Sequence, residues 1–322
     1  MKFIQIGIGV TLLFAAAAHA ATDVRSTLTQ DDVGKIGFAS AGSIVQTNNR
    51  SPMALKEAAV KLTGELRFPE GAGPFPAVIM AHGCAGNGYA EVTWAPILRQ
   101  WGYATFILDS FGGRGIASIC DNVARLFPVQ RVPDVYGALR VLATHPKVKA
   151  DRIALMGFSH GGILTDSAAT AWARDTFAPE GSPHFRAFFP FYPYCNADVP
   201  EYAAISAPVR VHTGALDDWT PAKPCQDWVE RLKANGFDAS ITIYPGAHHA
   251  FDDPFGAVVK LPSVANVAGC FPKYKSIVGP SSADNPFAGC AKSGATVGRN
   301  VAAIKAAQEV LQGQMASLLA GD

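Results

Sequence analysis

The stretch Gly157-Phe158-Ser159-His160-Gly161 constrains this chain more than any other, because it sets a serine between two glycines where a buried strand gives way to a helix. Arg152-Ile153-Ala154-Leu155-Met156 before it reads as a buried parallel strand. Gly162-Ile163-Leu164 and the small residues to Ala173 read as a helix. A strand-to-helix turn this tight leaves no room for side chains beside the serine, so both flanking positions must be glycine. The strained turn then projects the hydroxyl upward over the helix N-terminus, the setting of a nucleophilic serine.

A serine hydroxyl is a weak nucleophile at neutral pH and needs a histidine base oriented by an acid. On an open α/β sheet these follow the serine in the order acid, then histidine. Downstream, the apolar strand Val209 to Thr213 runs into Gly214-Ala215-Leu216-Asp217-Asp218-Trp219-Thr220-Pro221. After one more helix and a strand from Ser240 to Tyr244 comes Pro245-Gly246-Ala247-His248-His249-Ala250-Phe251. Both sets of candidates fall on loops at the sheet edge that carries Ser159, where open α/β sheets place their ligands. The residues alone do not choose between Asp217 and Asp218, or between His248 and His249.

Oxyanion donors are expected from the residue after the nucleophile and from a loop after an earlier strand. Pro76 to Ala81 is that strand, and His82-Gly83-Cys84-Ala85-Gly86 is a glycine-flanked turn behind it. The backbone amides of Cys84 and His160 are therefore the expected pair.

Taken together, His82-Gly83, Asp109-Ser110-Phe111-Gly112-Gly113-Arg114-Gly115, the serine turn, the Gly-x-x-Asp-x-x-Thr-Pro run from Gly214 to Pro221, and Ala247-x-His249-x-Phe251 make the chain resemble a secreted member of the dienelactone hydrolase family of α/β-hydrolases. The resemblance spans about Val60 to Phe251. It implies a mostly parallel, doubly wound sheet flanked by helices, and it assigns the acid to Asp217 and the base to His249. Asp218 is then a solvated or capping neighbour. The family's namesakes use a cysteine nucleophile, a glutamate beside the oxyanion loop and an arginine shortly after the catalytic histidine. Here those features are replaced by Ser159, by Gly83, and by Asp252-Asp253 after Phe251. The implied activity is thus serine-dependent hydrolysis of carboxylic esters or lactones, with no metal and no cofactor. Arg114 remains either a clamp for a substrate carboxylate or a structural partner of Asp109. Trp219, with Tyr192, Tyr194 and Phe158, either lines the acyl pocket or belongs to the core.

The 322 residues are 49% hydrophobic and 16% charged with a formal net charge of +1. That is enough apolar material for one large core, and no basic patch points to a nucleic-acid partner. The expected substrate is a small molecule; oligomeric state is not legible. Residues 1–20 read as a signal peptide: Lys2 is the positive start, Phe3 to Ala18 the apolar run, and Ala18-His19-Ala20 the small-x-small cleavage pattern. The mature chain, 21–322, is expected to be exported to the periplasm or medium as a single α/β-hydrolase domain that does not enter the membrane.

Six cysteines in an exported chain are expected to form three disulfides. Placed on the implied fold they pair as Cys84 with Cys120, Cys195 with Cys225, and Cys270 with Cys290. Residues 21–50 read as a loose arm. Val60 to Leu66 alternates as an early antiparallel strand, Trp94 to Trp101 and Val132 to His145 read as helices, and Ala104 to Asp109 and Ala187 to Phe191 as strands. Asp227 to Asn235 reads as the helix between the acid and base strands, and Val301 to Leu319 as a closing helix. Residues 252–300, rich in Gly, Pro and Ser, show no clean period and read as an irregular insertion, either a cleft wall or a surface excursion. Two other readings fit parts of the pattern. A peptidase of the prolyl-oligopeptidase type shares the residue order, and an exported binding protein could use the same scaffold without catalysis.

Overall fold

The computed structural model describes residues 23–46, 53–279 and 287–320. The apolar leader and its cleavage site lie outside the described residues. The strands are β1 (Gly34–Ala39), β2 (Ser43–Val45), β3 (Ala54–Lys56), β4 (Lys61–Arg67), β5 (Phe75–Ala81), β6 (Ala104–Asp109), β7 (Val148–Phe158), β8 (Ala187–Phe191), β9 (Val209–Gly214), β10 (Ala239–Tyr244), β11 (Val259–Asn266) and β12 (Lys292–Val297). The helices are α1 (Tyr89–Gln100), α2 (Val132–Leu142), α3 (His160–Ala169), α4 (Ala171–Phe177), α5 (Ala222–Ala234) and α6 (Val301–Leu319).

Eight strands form one sheet in the order β1-β4-β6-β5-β7-β8-β9-β10. The pairs β1–β4 and β4–β6 are antiparallel and every later pair is parallel. This is the mostly parallel α/β-hydrolase arrangement that the sequence implied. The central strands read as unbroken apolar runs because both faces are covered. In β5, Ala77, Ile79 and Ala81 face the core under α2, α3 and α5, while Val78 and Met80 face the core under α1 and α6. In β7, Ile153 and Leu155 take the first face, and Ala154, Met156 and Phe158 the second. Helix α6 turns Ala303, Ala307, Leu311, Met315 and Leu318 inward, whereas Ile304 is only half-buried.

Two segments differ from the sequence reading. The arm at 21–50 is not wholly loose: β1 extends the main sheet beyond β4, and β2 pairs with β3. Only Ile36 and Phe38 are large apolar residues in β1, so its signal is short and is further diluted by Gly34 and Gly37. The stretch 252–300 contains an antiparallel hairpin, β11–β12. Its strands bury almost nothing, and a strand without a buried face leaves no alternation to read.

The disulfides join Cys84 to Cys120, Cys195 to Cys225 and Cys270 to Cys290, across separations of 36, 30 and 20 residues. Loops of that length correspond to about 3 to 4 kcal/mol each in the chain-entropy account. No helix among the described residues is long and apolar enough to cross a membrane.

One buried carboxylate, that of Asp166, lacks a donor among the described residues. Asp166 on α3 is buried, its Oδ1 meets no donor, and its Oδ2 lies 3.8 Å from the Cys195 sulfur. That sulfur is in a disulfide and has no proton to give. Burial pushes the Asp166 carboxyl well above its ordinary 3.8, so the folded state binds a proton that the unfolded state releases. Stability tied to this group is present below about pH 4 and is lost as pH rises toward the folded value. Asp166→Asn is therefore expected to stabilise the protein by on the order of 1 kcal/mol or more at pH 8 and by little at pH 4, as read from urea unfolding at both pH values.

Candidate active site

Strand β7 ends at Phe158 and α3 begins at His160, leaving Ser159 as the single residue of the turn, at φ 53° and ψ −115°. The glycines beside it are required by space. A Cβ on Gly157 would lie 2.1 Å from the Gly161 carbonyl oxygen, and one on Gly161 would lie 2.0 Å from the Ala81 carbonyl oxygen. The Ser159 amide donates to the Phe191 carbonyl at 3.0 Å, which ties the turn to the end of β8.

Two further loops converge on the hydroxyl. Asp217 follows β9, and its Oδ1 accepts from the amides of Trp219 and Thr220 at 2.9 and 2.8 Å. Its Oδ2 accepts from the Thr220 hydroxyl at 2.9 Å and lies 2.8 Å from His249 Nδ1. His249 follows β10, is buried, and holds Nε2 2.9 Å from Ser159 Oγ. With Nδ1 facing the carboxylate, the proton sits on Nδ1 and Nε2 is free to accept from the serine. The loops that carry Asp217 and His249 approach closely: a Cβ on Gly214 would stand 2.3 Å from the Ala247 carbonyl oxygen.

Asp218 and His248 point elsewhere. Asp218 accepts from the Thr296 amide and hydroxyl at 2.7 and 2.8 Å, and His248 Nδ1 faces the Leu216 carbonyl. The His160 amide opens α3, where the first helical N–H groups have no partner within the helix. A Cβ on Gly83 would be 3.6 Å from Ser159 Cβ, so the Gly83–Cys84 segment stands beside the serine. The Cys84–Cys120 disulfide, Ile116 and Ile119 form an apolar cluster against which Trp219 packs. The Trp219 ring centroid is also 4.9 Å from that of His249.

Arg114 pairs with a carboxylate other than Asp109. Its guanidinium forks onto Asp134 at 2.8 and 2.9 Å and also donates to the Ser110 carbonyl. Asp109 instead accepts from the amides of Phe111 and Gly112. Asp134 is fully buried in the first turn of α2, and a carboxylate inside the protein needs a countercharge far more than the half-exposed Asp109 does. Phe158 belongs to the core, and the Tyr194 hydroxyl donates to the Cys270 carbonyl.

The sequence reading missed three contributors. Thr220, which closes the Asp217 turn, also places its hydroxyl 3.0 Å from His249 Nδ1. Asp252 is buried, accepting from Trp94 Nε1 at 2.7 Å and from the Tyr192 hydroxyl at 2.9 Å. The Tyr192 ring in turn meets His249 edge-on at 4.7 Å. The hairpin is the third: Trp219 Nε1 donates to the Ala265 carbonyl, Asn266 to the Asp218 carbonyl, and the Gly298 amide to the His249 carbonyl. The Gly-, Pro- and Ser-rich composition of 252–300 gives no sign of the hairpin's contacts. Among the described residues no group of His, Cys, Asp and Glu is arranged to hold a metal ion. A cavity of about 600 Å³ near Arg174 and His184 opens at the opposite, N-terminal edge of the strands and contains none of these groups.

The description "Dienelactone hydrolase family" belongs to a family model that matches residues 62–265. The chain belongs to the dienelactone hydrolase family. It is 31% identical over 123 residues to a Bradyrhizobium protein named as a probable 2-oxo-3-(5-oxofuran-2-ylidene)propanoate lactonase, across 38% of this chain and 49% of that one. It is 24% identical over 215 residues to the acylamino-acid-releasing enzyme of Rattus norvegicus, across 55% of this chain and 29% of that one. The chain thus spans half or less of the length of the curated relatives it matches. Among solved structures it is similar to the dienelactone hydrolase-like promiscuous phosphotriesterase P91 from metagenomic libraries, with a TM-score of 0.58 at 16% identity, covering 89% of this chain and 100% of that one. At that identity the likeness speaks for the fold alone.

Because Arg114 neutralises a buried carboxylate, Arg114→Met is expected to lose about 3 to 5 kcal/mol of stability. Arg114→Met/Asp134→Leu should recover much of that loss. Urea unfolding of the two variants checks both.

Proposed function

We propose that this member of the dienelactone hydrolase family is an exported serine hydrolase that cleaves carboxylic esters or lactones through an acyl-enzyme. The observation that carries the reading is the unbroken line from Asp217 through His249 to Ser159, at 2.8 and 2.9 Å. In the first step His249 Nε2 takes the Ser159 proton as Oγ attacks the ester carbonyl. Asp217 holds the imidazole in the required tautomer and stabilises its charged form. The negative oxygen that develops is received by the amides of Cys84 and His160. The intermediate collapses as His249 returns its proton to the leaving alkoxide. Water, deprotonated by His249, then attacks the acyl-enzyme and releases the acid and the free serine. For a lactone the same bonds break, but the alcohol freed in the first step stays tethered to the acyl group, so water releases a single ring-opened hydroxy acid.

The surroundings favour a neutral substrate. Trp219, Ile116 and the Cys84–Cys120 disulfide supply apolar surface beside the serine. Arg114, the residue that could have held a carboxylate, is committed to Asp134. Three disulfides support function in an oxidising compartment, in keeping with the signal-peptide pattern at 1–20. The 215-residue match to an acylamino-acid-releasing enzyme makes amide cleavage the second reading to be measured.

Ser159→Ala is expected to stay folded and to lose roughly 10⁴-fold or more in kcat on p-nitrophenyl butyrate, as removal of a triad member does. In the same assays the wild type should show higher kcat/KM on p-nitrophenyl acetate and butyrate than on a dienelactone or a peptide anilide. A preference for either of the last two would replace the neutral-ester assignment. For the acid, Asp217→Asn is expected to reduce kcat by about 10⁴-fold, whereas Asp218→Asn, which touches only the hairpin, should change it little. Reversed effects would move the acid to Asp218.

A further inference from the structure

Arg131 is completely buried beneath the loop that carries Gly83 and Cys84. It closes the short turn at 128–131 that leads into α2. Its Nη1 donates to the His82 carbonyl at 3.0 Å and to His160 Nδ1 at 2.9 Å. Among the described residues its Nε and Nη2 have no hydrogen-bond partner, and Asp134, the nearest acid in sequence, is already held by Arg114. Burial lowers its pKa to about 10, which leaves it charged at neutral pH. A cation taken out of water and given a carbonyl, an imidazole and the face of the Phe111 ring at 5.3 Å is an expensive way to fill space.

The two groups it does hold are specific. His82 directly precedes Gly83, and His160 directly follows Ser159, so one guanidinium nitrogen bridges the two segments whose amides are assigned above to the oxyanion. His82 extends the connection. Its Nε2 accepts from the Ser110 amide at 3.2 Å, which puts its proton on Nδ1, and Nδ1 donates to the Gly83 carbonyl at 2.8 Å. That carbonyl belongs to the same peptide unit as the Cys84 N–H. A peptide whose oxygen accepts a hydrogen bond is a stronger donor at its nitrogen.

We propose that Arg131 is a positioning residue of the oxyanion hole: it joins the His82–Cys84 and Ser159–His160 segments into one rigid donor pair, and its buried charge favours the negative oxygen that forms between them. The inference rests on the hydrolase reading above. A neutral ester carbonyl gains little from a fixed positive charge and a tetrahedral oxyanion gains much, because the intervening medium is dry. The effect therefore falls on the transition state and not on substrate binding.

The test uses the full mature chain with Arg131→Met and Arg131→Lys. It measures kcat and KM on p-nitrophenyl butyrate, the rate of fluorophosphonate labelling of Ser159, and the affinity for a phenylboronic acid that adds to the serine as a tetrahedral anion. In Arg131→Met, kcat is expected to fall about 10- to 100-fold, less than the ~10²–10³-fold that loss of a direct donor costs. KM should stay near the wild-type value, boronate affinity should fall in step with kcat/KM, and Arg131→Lys should recover part of each loss. A folded Arg131→Met with unchanged kcat, or with reduced kcat but unchanged boronate affinity, overturns the proposal. If Arg131→Met does not fold, His160→Phe keeps the backbone amide and removes the acceptor; its boronate affinity should also fall, and an unchanged value overturns the proposal equally. A wild type that is not labelled at Ser159 overturns the hydrolase reading and this inference together. A labelled wild type with an unaffected Arg131→Met overturns this inference alone.

Discussion

The close approach of backbone to backbone around Ser159 is the constraint on which the rest of the site depends. The serine can be held at φ 53° only because the surrounding contacts over-determine it: its amide is bound to Phe191, its carbonyl to the Ile163 amide, and Gly161 lies against the Ala81 carbonyl. None of these contacts tolerates a Cβ at Gly157 or Gly161. The same turn fixes where the hydroxyl points and brings the start of α3 under it. The direction of the Ser159 hydroxyl is thus a property of how β5, β7 and β8 sit beside α3, and every other group has only to reach that point.

The loops that carry Asp217 and His249 reach it from the ends of β9 and β10, and the segment at 252–300 binds both. Through Ala265, Asn266 and Thr296 the hairpin binds the Asp217–Asp218–Trp219 turn, and through Gly298 it binds His249. It buries little, so its contribution is made through hydrogen bonds to two short loops. The three disulfides fall on these same parts: one in the Gly83–Cys84 loop, one tying the end of β8 to the start of α5, and one within the excursion that carries the hairpin.

Beneath the site lies a layer of buried polar groups uncommon in a mostly apolar interior. They are Asp134 with Arg114, Arg131 with His82 and His160, and Asp252 with Trp94 and Tyr192; His160 directly follows Ser159, and the Tyr192 ring meets that of His249. Burial keeps both His82 and His160 well below the usual histidine range, and the Arg131 charge acts in the same direction. They are therefore neutral, and their hydrogen-bond directions are fixed. Groups that cannot change protonation near neutral pH suit a support whose task is to hold geometry.

What the amino-acid sequence determined by itself was local. Glycines at 157 and 161, apolar runs long enough for strands covered on both faces, and a Gly-x-x-Asp-x-x-Thr-Pro turn state their requirements within a few residues, and the central sheet follows from them. What only the tertiary structure decided depends on partners far apart in the chain. Arg114 could face Asp109 or a ligand in sequence, yet burial of Asp134 at the start of α2 draws it away. Asp252 is one of two adjacent acids in sequence, and only the fold closes Trp94 and Tyr192 over it, while β11–β12 has no buried face to announce it. An unpaired charge inside a protein is satisfied by whichever group the fold brings within about 3 Å, and no spacing along the chain records which group that will be.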